Sequence, residues 1–255
     1  MNKFILAVVL TCASNILYAQ NLRFITSGSI EYEKSVNTYT ILKKMFNNNM
    51  EGFVLQAFEQ YKKTQPQFKV LKSTLVFSNN KTLFTPVPPE GNTSTFFNIP
   101  VAEQNNTVYS DFTNNMNIIQ KLVFEETFLL KDTIRNIKWK ITDETRDIAG
   151  YPCRRANGLL LDSIYVVAFY TDKIAVSGGP ESFSGLPGMI LQVALPHENI
   201  SWLAKNITEG VIDEKLLTPP NKGKPVNRKQ LNLTLEGATK NWGPHKQFYL
   251  KAFSF

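Results

Sequence analysis

Period-two alternation of apolar and polar residues recurs along this 255-residue chain and limits the folds that are open to it. In GSIEYEKSV, the apolar residues Ile30 and Tyr32 alternate with Glu31 and Glu33. Successive side chains of a strand point to opposite faces, so this stretch predicts a strand with one solvated face. A chain built from many such strands is expected to form a sheet that buries one side.

Four further stretches extend the strand pattern. IYVVAFYT (164–171) and MILQVAL (189–195) are apolar on both faces, which is typical of central strands. Alternation also predicts a half-buried strand in KLVFEETFLLKD, with Leu122, Phe124, Phe128 and Leu130 on its apolar face. It predicts another in NIKWKIT, with Ile137, Trp139 and Ile141 on its apolar face.

Local signals predict one hairpin, one helix and two loops. KSTLVFSNNKTLF carries a turn at Asn79-Asn80 between two apolar runs, which indicates a hairpin. FVLQAFEQYKKT (53–64) repeats apolar residues at helical spacing, and its stripe is Val54, Leu55, Phe58 and Tyr61. Pro and Gly in 84–94 and 218–229 predict exposed loops. We therefore expect a mainly β fold, a curved antiparallel sheet with one or two covering helices.

The amino terminus has the features of an export signal. Lys3 precedes the apolar run FILAVVL, and Ala19 is a small residue at a plausible cleavage point. A membrane span takes about 20 consecutive apolar residues, so this run predicts a cleaved signal peptide, not an anchor. A lipoprotein signal at Cys12 is the alternative, although Thr11 stands where such signals carry Gly, Ala or Ser. We expect a signal peptide at 1–19 and one domain at 20–255.

The formal net charge is +7, and the excess is concentrated near the carboxyl terminus. From Gly210 onward, Lys and Arg outnumber Asp and Glu by eight to three. Two interpretations remain open, namely attraction to an anionic surface and a solvated basic edge. Aromatic and basic residues do not interleave as they do in nucleic-acid-binding proteins, so no nucleic-acid partner is expected.

Candidate metal ligands and thiols are few. Cys153 is the single cysteine outside the predicted signal, and the two histidines are His197 and His245. These three residues form a metal site only if the fold gathers them, so neither a metal nor a cofactor is expected. A metal-binding or redox protein that uses Cys153 stays an alternative, because a lone exported thiol is buried, reactive or paired with another chain.

The segment SGGPESFSGLPGMILQVALP (177–196) combines four glycines with three prolines. It is not a phosphate-binding loop, because no GKS or GKT follows and the next element is a strand. Ser184 lacks the preceding glycine of a nucleophile elbow, so a serine hydrolase is disfavoured. These patterns predict a structural corner in which Phe183 and Leu186 point inward, and no enzyme. A hydrolase of unrecognised type stays a further alternative.

The same segment carries a family resemblance. GLPGMI (185–190) resembles the motif for which the GLPGLI family, also called Porph-ging, is named, a set of uncharacterised exported proteins of Bacteroidota. The resemblance also includes an early G-x-I-x-Y-E strand and an I-x-G-Y-x-C-x-x-A element. The matching residues here are Gly28, Ile30, Tyr32, Glu33, Ile148, Gly150, Tyr151, Cys153, Ala156, Tyr170, Thr171, Ser177, Gly179, Pro180, Phe183, Gly185, Leu186, Pro187 and Gly188.

The resemblance implies a role in the cell envelope and no established activity. Members tend to be encoded near outer-membrane transporters, and the layout resembles the half-barrel of periplasmic lipoprotein carriers. We therefore expect a periplasmic or outer-membrane-associated protein, with secretion as an alternative, that binds a lipid, another apolar ligand or an outer-membrane partner. The resemblance also implies candidate O-glycosylation at Thr133 and Ser163, and structural roles for the motif residues between Gly150 and Gly188.

Overall fold

A single open sheet of twelve strands organises the residues that the computed structural model describes, which are 24–46, 50–88, 97, 99–103, 106–243 and 246–254. The strands are β1 (Ser27–Asn37), β2 (Phe68–Ser78), β3 (Lys81–Pro86), β4 (Thr107–Asp111), β5 (Met116–Val123), β6 (Glu126–Thr133), β7 (Lys138–Ile148), β8 (Tyr151–Leu160), β9 (Ile164–Thr171), β10 (Met189–Leu195), β11 (Ile200–Glu209) and β12 (Lys224–Val226).

The strand order across the sheet is β12-β6-β5-β4-β3-β2-β1-β11-β10-β9-β8-β7. All neighbours are antiparallel except β12, which runs parallel to β6. The mainly β prediction is confirmed, and β9 and β10 are interior strands as their apolar sequences predicted. β7 forms one edge, where a register shift between Ile141 and Thr145 and many exposed charged side chains protect the strand against further pairing.

Five helices lie in the described part of the chain, more than the one or two predicted. They are α1 (Thr38–Met45), α2 (Gly52–Thr64), α3 (Pro100–Glu103), α4 (Arg228–Ala238) and α5 (Lys246–Ser254). Side-chain caps define two of the starts: Asn37 accepts a hydrogen bond from the Thr40 amide, and Asn227 and Gln230 form a capping box before α4. No helix in these described ranges is both long and apolar enough to cross a bilayer.

The main core lies on one face of the sheet, which we call the inner face, and a smaller cluster of Tyr109, Ile118 and Leu129 is separate from it. In β1 every second residue is buried, and Ile30, Tyr32 and Val36 are at most 1% exposed. Residues from all five helices pack into the same apolar cluster as these strand residues. Burial of this apolar area is the main stabilising contribution, because Cys153 has no disulfide partner in the described chain.

Residues 172–188, here called the crossing segment, connect β9 to β10 by passing over the inner face. Gly178 lies against Thr82 of β3, and the indole nitrogen of Trp139 in β7 donates to the Ser184 carbonyl at 2.9 Å. In a flat sheet the seven spacings from β3 to β7 would amount to about 34 Å. The chain from Gly178 to Ser184 reaches at most about 22 Å when fully extended, which is less than this flat-sheet distance. The sheet must therefore curve around the segment.

The structure corrects the prediction for residues 121–132. This stretch is two strands, because β5 ends at Val123, Phe124 turns with a φ of 55°, and β6 begins at Glu126. Leu122 is 52% exposed and Phe124 is 39% exposed, while Lys121 is buried and its Nζ donates to the Phe253 carbonyl at 2.8 Å. A buried lysine hydrogen-bonded to α5 therefore reverses the predicted faces in β5, whereas Phe128 and Leu130 of β6 are buried as predicted.

Other local predictions have mixed outcomes. The hairpin is confirmed, with Asn79 and Asn80 at φ of 49° and 63°, as a tight hairpin turn requires. The helix at 53–64 is confirmed as α2, although Leu55 is 43% exposed because α2 buries only Phe58 and Tyr61.

The loop prediction for 218–229 is wrong at one end. This stretch contains β12 and the cap of α4, because the backbone of Lys224–Val226 pairs with β6. The predicted loop at 84–94 begins inside β3, and its residues 89–94 lie outside the described chain, as does the predicted signal peptide with Cys12.

Candidate functional site

A lysine lies within the apolar inner face of β1. The strand register places Lys34 between Leu71 of β2 and Trp202 of β11. Lys34 is 8% exposed, and its Nζ lies 5.1 Å from the centroid of the Trp202 ring. Burial lowers the pKa of Lys34 below its ordinary value, and the nearby Glu181 carboxylate opposes this shift.

The counter-charge comes from the crossing segment. Glu181 is buried with a φ of 51°, a left-handed conformation that is uncommon for a residue with a side chain. Its Oε1 lies 3.9 Å from Lys34 Nζ, which is an ion pair too long for a direct hydrogen bond. Asn106 Nδ2 donates to the other carboxylate oxygen, Oε2, at 3.0 Å. The chain thus brings a lysine and a glutamate together inside the fold.

Three polar atoms beside this ion pair have no hydrogen-bond partner among the described residues. They are Ser73 Oγ, Asn106 Oδ1 and Trp202 Nε1, and each belongs to a residue that is at most 5% exposed. With Lys34 and Glu181 these residues line a cavity of about 10 Å³, here called the polar cavity. Unsatisfied buried polar groups are costly, so the polar cavity has capacity to bind a polar group.

A larger cleft of about 390 Å³ adjoins the polar cavity and shares Leu71 and Lys72 with it. The cleft follows the edge of β2 beyond the point where its described pairing with β3 ends, and α2 and α3 contribute the other wall. Its lining is mostly apolar, with two lysines and one glutamate, and comprises Tyr61, Gln65, Pro66, Lys69, Val70, Leu71, Lys72, Val87, Pro88, Phe97, Ile99, Ala102 and Glu103.

The predicted motif residues of the crossing segment flank Glu181 in sequence, and most are packed into the fold. Phe183 is buried and its ring packs 5.6 Å from the ring of Trp202, and Leu186 is 2% exposed. Gly179 packs closely against Ile190, where a Cβ would meet the Ile190 Cβ at 2.8 Å. Ser177 Oγ donates to the Leu186 carbonyl at 2.6 Å, which closes the segment on itself. Packing of this kind holds Glu181 at Lys34.

The second group of motif residues lies farther away, at the start of β8. Gly150 turns between β7 and β8 with a φ of 83°, and Tyr151 donates from its hydroxyl to Glu209 Oε1 at 3.0 Å. Cys153 and Ala156 are both buried in β8. These residues belong to the sheet and line neither the cleft nor the polar cavity.

The structure does not bring the candidate metal ligands Cys153 and His197 together. Cys153 lies near the start of β8, whereas the His197 ring lies 6.4 Å from the Tyr165 ring, at the opposite end of the β8–β9 pairing. His245 lies outside the described residues. Within the described ranges no three His, Cys, Asp or Glu side chains form a metal-binding group.

Cys153 is expected to react slowly with maleimide in the folded protein. Burial raises the pKa of its thiol to about 12, and Sγ donates to the Tyr151 carbonyl at 3.3 Å. Labelling at pH 8 should be about 1,000-fold slower than in urea, because the thiolate is the nucleophile and its fraction at that pH falls by about this factor. The folded-state rate should rise with pH up to that pKa. Equal rates in buffer and urea would favour the redox alternative.

Thr133 and Ser163, the candidate glycosylation sites, are both exposed. Thr133 ends β6, and Ser163 lies in the turn between β8 and β9, so neither position belongs to the cleft. Glycosylation at these residues stays a prediction.

Sequence reasoning missed the residues of the polar cavity. In the period-two pattern of β1, Lys34 falls on the same face as Ile30 and Tyr32. A lysine on this apolar face was the one sequence feature that could have indicated the site. Ser73 shares a face with Leu71 in the same way. Glu181 carried no comparable signal, since it lies in a loop whose path the local sequence does not specify.

Part of the chain matches the model of a known protein family. Residues 160–192 match the Porph_ging family model, described as a protein of unknown function. The match confirms the family resemblance over this stretch, which contains β9 and the whole crossing segment with Glu181. The resembling elements at Gly28–Glu33 and Ile148–Ala156 lie outside the matched residues. No curated protein sequence matches the chain.

The solved structure of PNGF-II shares the fold. PNGF-II in its P21 crystal form aligns with a TM-score of 0.51 at 15% identity over 82% of this chain, and its C2 form with 0.51 at 14% over 89%. This chain spans about a third of PNGF-II, 33% in both forms. An uncharacterized conserved protein from Thermus thermophilus aligns with a TM-score of 0.40 at 7% identity, covering 85% of this chain and 99% of that one. At 15% and 14% identity, the likeness to PNGF-II is one of fold alone.

Proposed function

We propose that this chain is a non-catalytic, exported cell-envelope protein that binds an apolar ligand in the cleft beside β2. The observation that carries the proposal is the cleft itself, about 390 Å³ in volume and lined mostly by apolar side chains. Small-molecule sites in proteins are concave, largely apolar and about 300–1,000 Å³ in volume.

The lining favours an apolar chain or ring over a charged ligand. Leu71, Phe97 and Ile99 are buried and contribute apolar surface, and Tyr61 adds an aromatic wall. Transfer of apolar ligand surface from water into such a site contributes about 25 cal/mol per Å². Lys69, Lys72 and Glu103 are polar lining residues, which suits a ligand whose body is apolar and whose end is polar.

Two features support a binding role without catalysis. The Lys34 and Glu181 charges face each other inside a space of about 10 Å³, too small for a substrate and a reacting water together. The high pKa of Cys153 leaves little thiolate at neutral pH. Export to the periplasm or outer membrane is supported by the apolar stretch near Lys3, which resembles a secretory signal.

The cleft is tested with N-phenyl-1-naphthylamine, an uncharged fluorescent probe, and the variant Val87→Trp. Val87 lines the cleft and is 44% exposed, so an indole there fills ligand space without disturbing the core. We expect one probe per chain and about tenfold weaker binding by Val87→Trp. Val211→Trp is the matched control, because Val211 is 99% exposed and lies outside the cleft. Equal probe affinity of both variants and the wild type would refute the cleft as the site.

A further inference from the structure

The polar cavity contains an unusual set of unsatisfied groups for a protein interior. Trp202 Nε1 can only donate, Asn106 Oδ1 can only accept, and Ser73 Oγ can do either. All three belong to residues that are less than a tenth exposed and that line the same small space beside the Lys34–Glu181 ion pair. A group that satisfies them must accept from the indole and donate to the amide oxygen.

We propose that the polar cavity is a subsite for a neutral hydroxyl group at the end of the ligand whose apolar body lies in the cleft. This inference rests on the proposed function of the cleft. It identifies the ligand class as an apolar alcohol, a molecule with an acyl or alkyl body and one hydroxyl.

Hydrogen-bonding capacity selects a hydroxyl over a carboxylate. A hydroxyl has one donor hydrogen and two acceptor lone pairs, so it can accept from Trp202 Nε1 and donate to Asn106 Oδ1. An ionised carboxylate has no hydrogen to donate and leaves Asn106 Oδ1 unsatisfied.

The charges of Lys34 and Glu181 also favour a hydroxyl over a carboxylate. Lys34 and Glu181 already neutralise each other at 3.9 Å, so a carboxylate would add a second negative charge beside Glu181 in a buried space. Burying a charge without a counter-charge is costly, and a neutral group avoids this cost.

The volume limits the size of the bound group. About 10 Å³ is close to the minimum that holds one water molecule, so the cavity accepts one oxygen atom and excludes a sugar ring or a phosphate. The rest of the ligand must lie outside the cavity. Leu71 and Lys72 line both spaces, so a ligand in the cleft is positioned to direct its end group inward.

The experiment compares three competitors for the N-phenyl-1-naphthylamine bound to the wild-type protein. They are 1-decanol, decyl methyl ether and decanoate, which share an alkyl body of similar length and differ in the end group. We expect 1-decanol to displace the probe at about tenfold lower concentration than the ether, because the ether oxygen cannot donate. Decanoate is also expected to be weaker than 1-decanol.

Two variants test the residues. Trp202→Phe removes the indole N–H but keeps an aromatic ring beside Phe183 and Lys34, and Ser73→Ala removes the hydroxyl. Each should reduce the preference for 1-decanol over the ether to about threefold or less, with unchanged affinity for the probe. Trp242→Phe and Ser163→Ala are the matched controls, since neither residue lines the polar cavity. Thermal unfolding of each variant shows that it is folded before binding is compared.

The outcomes separate this inference from the proposed function. Displacement by all three competitors at equal concentration would show that the cavity holds only a water, which overturns the hydroxyl subsite and leaves the cleft in place. A preference for 1-decanol that survives in Trp202→Phe and Ser73→Ala would also overturn it. If the probe itself does not bind, the cleft proposal fails, and the subsite fails with it.

Discussion

Gly188→Ala is expected to destabilise the fold by more than about 4 kcal/mol, because it places a methyl group where another backbone lies. A Cβ on Gly188 would lie 2.0 Å from the Thr171 carbonyl oxygen and 2.8 Å from its carbon. Thr171 is paired with Met189 in the β9–β10 ladder, so its carbonyl cannot move without breaking that pairing. The φ of 138° at Gly188 is also unfavourable for any residue with a side chain. Urea unfolding followed by circular dichroism measures the loss.

Gly185→Ala is the matched control in the same segment. Gly185 also has a positive φ, 93°, but the nearest atom to its added Cβ is Trp139 Nε1 at 3.6 Å, which is an ordinary contact distance. Only backbone strain of about 1–2 kcal/mol is therefore expected. If the two alanine variants lose equal stability, the clash with the Thr171 carbonyl is not the reason that position 188 requires glycine.

Much of the sheet could be predicted because its strands bury apolar side chains in a simple pattern. β9 and β10 were recognisable as interior strands since both of their faces are apolar, and β1 followed from the alternation at Ile30 and Tyr32. The rule failed at β5, where Lys121 points inward and Leu122 outward. Apolar alternation assumes that the buried residue is apolar, and the hydrogen bond from Lys121 to α5 depends on a contact that is distant in sequence.

The polar cavity could not be predicted because its residues come from separate parts of the chain. Lys34, Ser73 and Trp202 meet through the register of β1, β2 and β11, and Asn106 and Glu181 arrive on the approach to β4 and on the crossing segment. Register and loop path are set by the whole fold, and no local motif encodes them. The motif glycines and prolines indicated a compact corner, and the function of that corner in holding Glu181 became visible only in three dimensions.

Glu181→Gln is expected to cost about 3 kcal/mol at pH 7, because it leaves the Lys34 ammonium buried without a counter-charge. Glutamine keeps the shape of the side chain and an oxygen that can accept from Asn106 Nδ2, so the change is mainly one of charge. Lys34→Met should cost a similar amount, since it leaves the carboxylate unpaired. Chemical unfolding at constant ionic strength gives both values.

The double variant Lys34→Met with Glu181→Gln completes the test. With both charges removed it should recover more than half of the loss of either single variant, since neither remaining group is an uncompensated ion. Additive losses in the double variant would mean that the two residues contribute through packing, not through their charges.

The pH dependence separates charge from shape in the same variants. The pKa of folded Lys34 lies below its ordinary value of 10.5, and removing Glu181, which raises it, lowers it further. At pH values between the folded-state pKa of Lys34 in Glu181→Gln and the ordinary value of 10.5, the unfolded chain binds more protons than the folded one. The stability of Glu181→Gln therefore rises with pH in that interval. The double variant has no Lys34 amine and should lack this rise. A rise of equal size in both would assign the effect to other groups and remove the charge argument for the cavity.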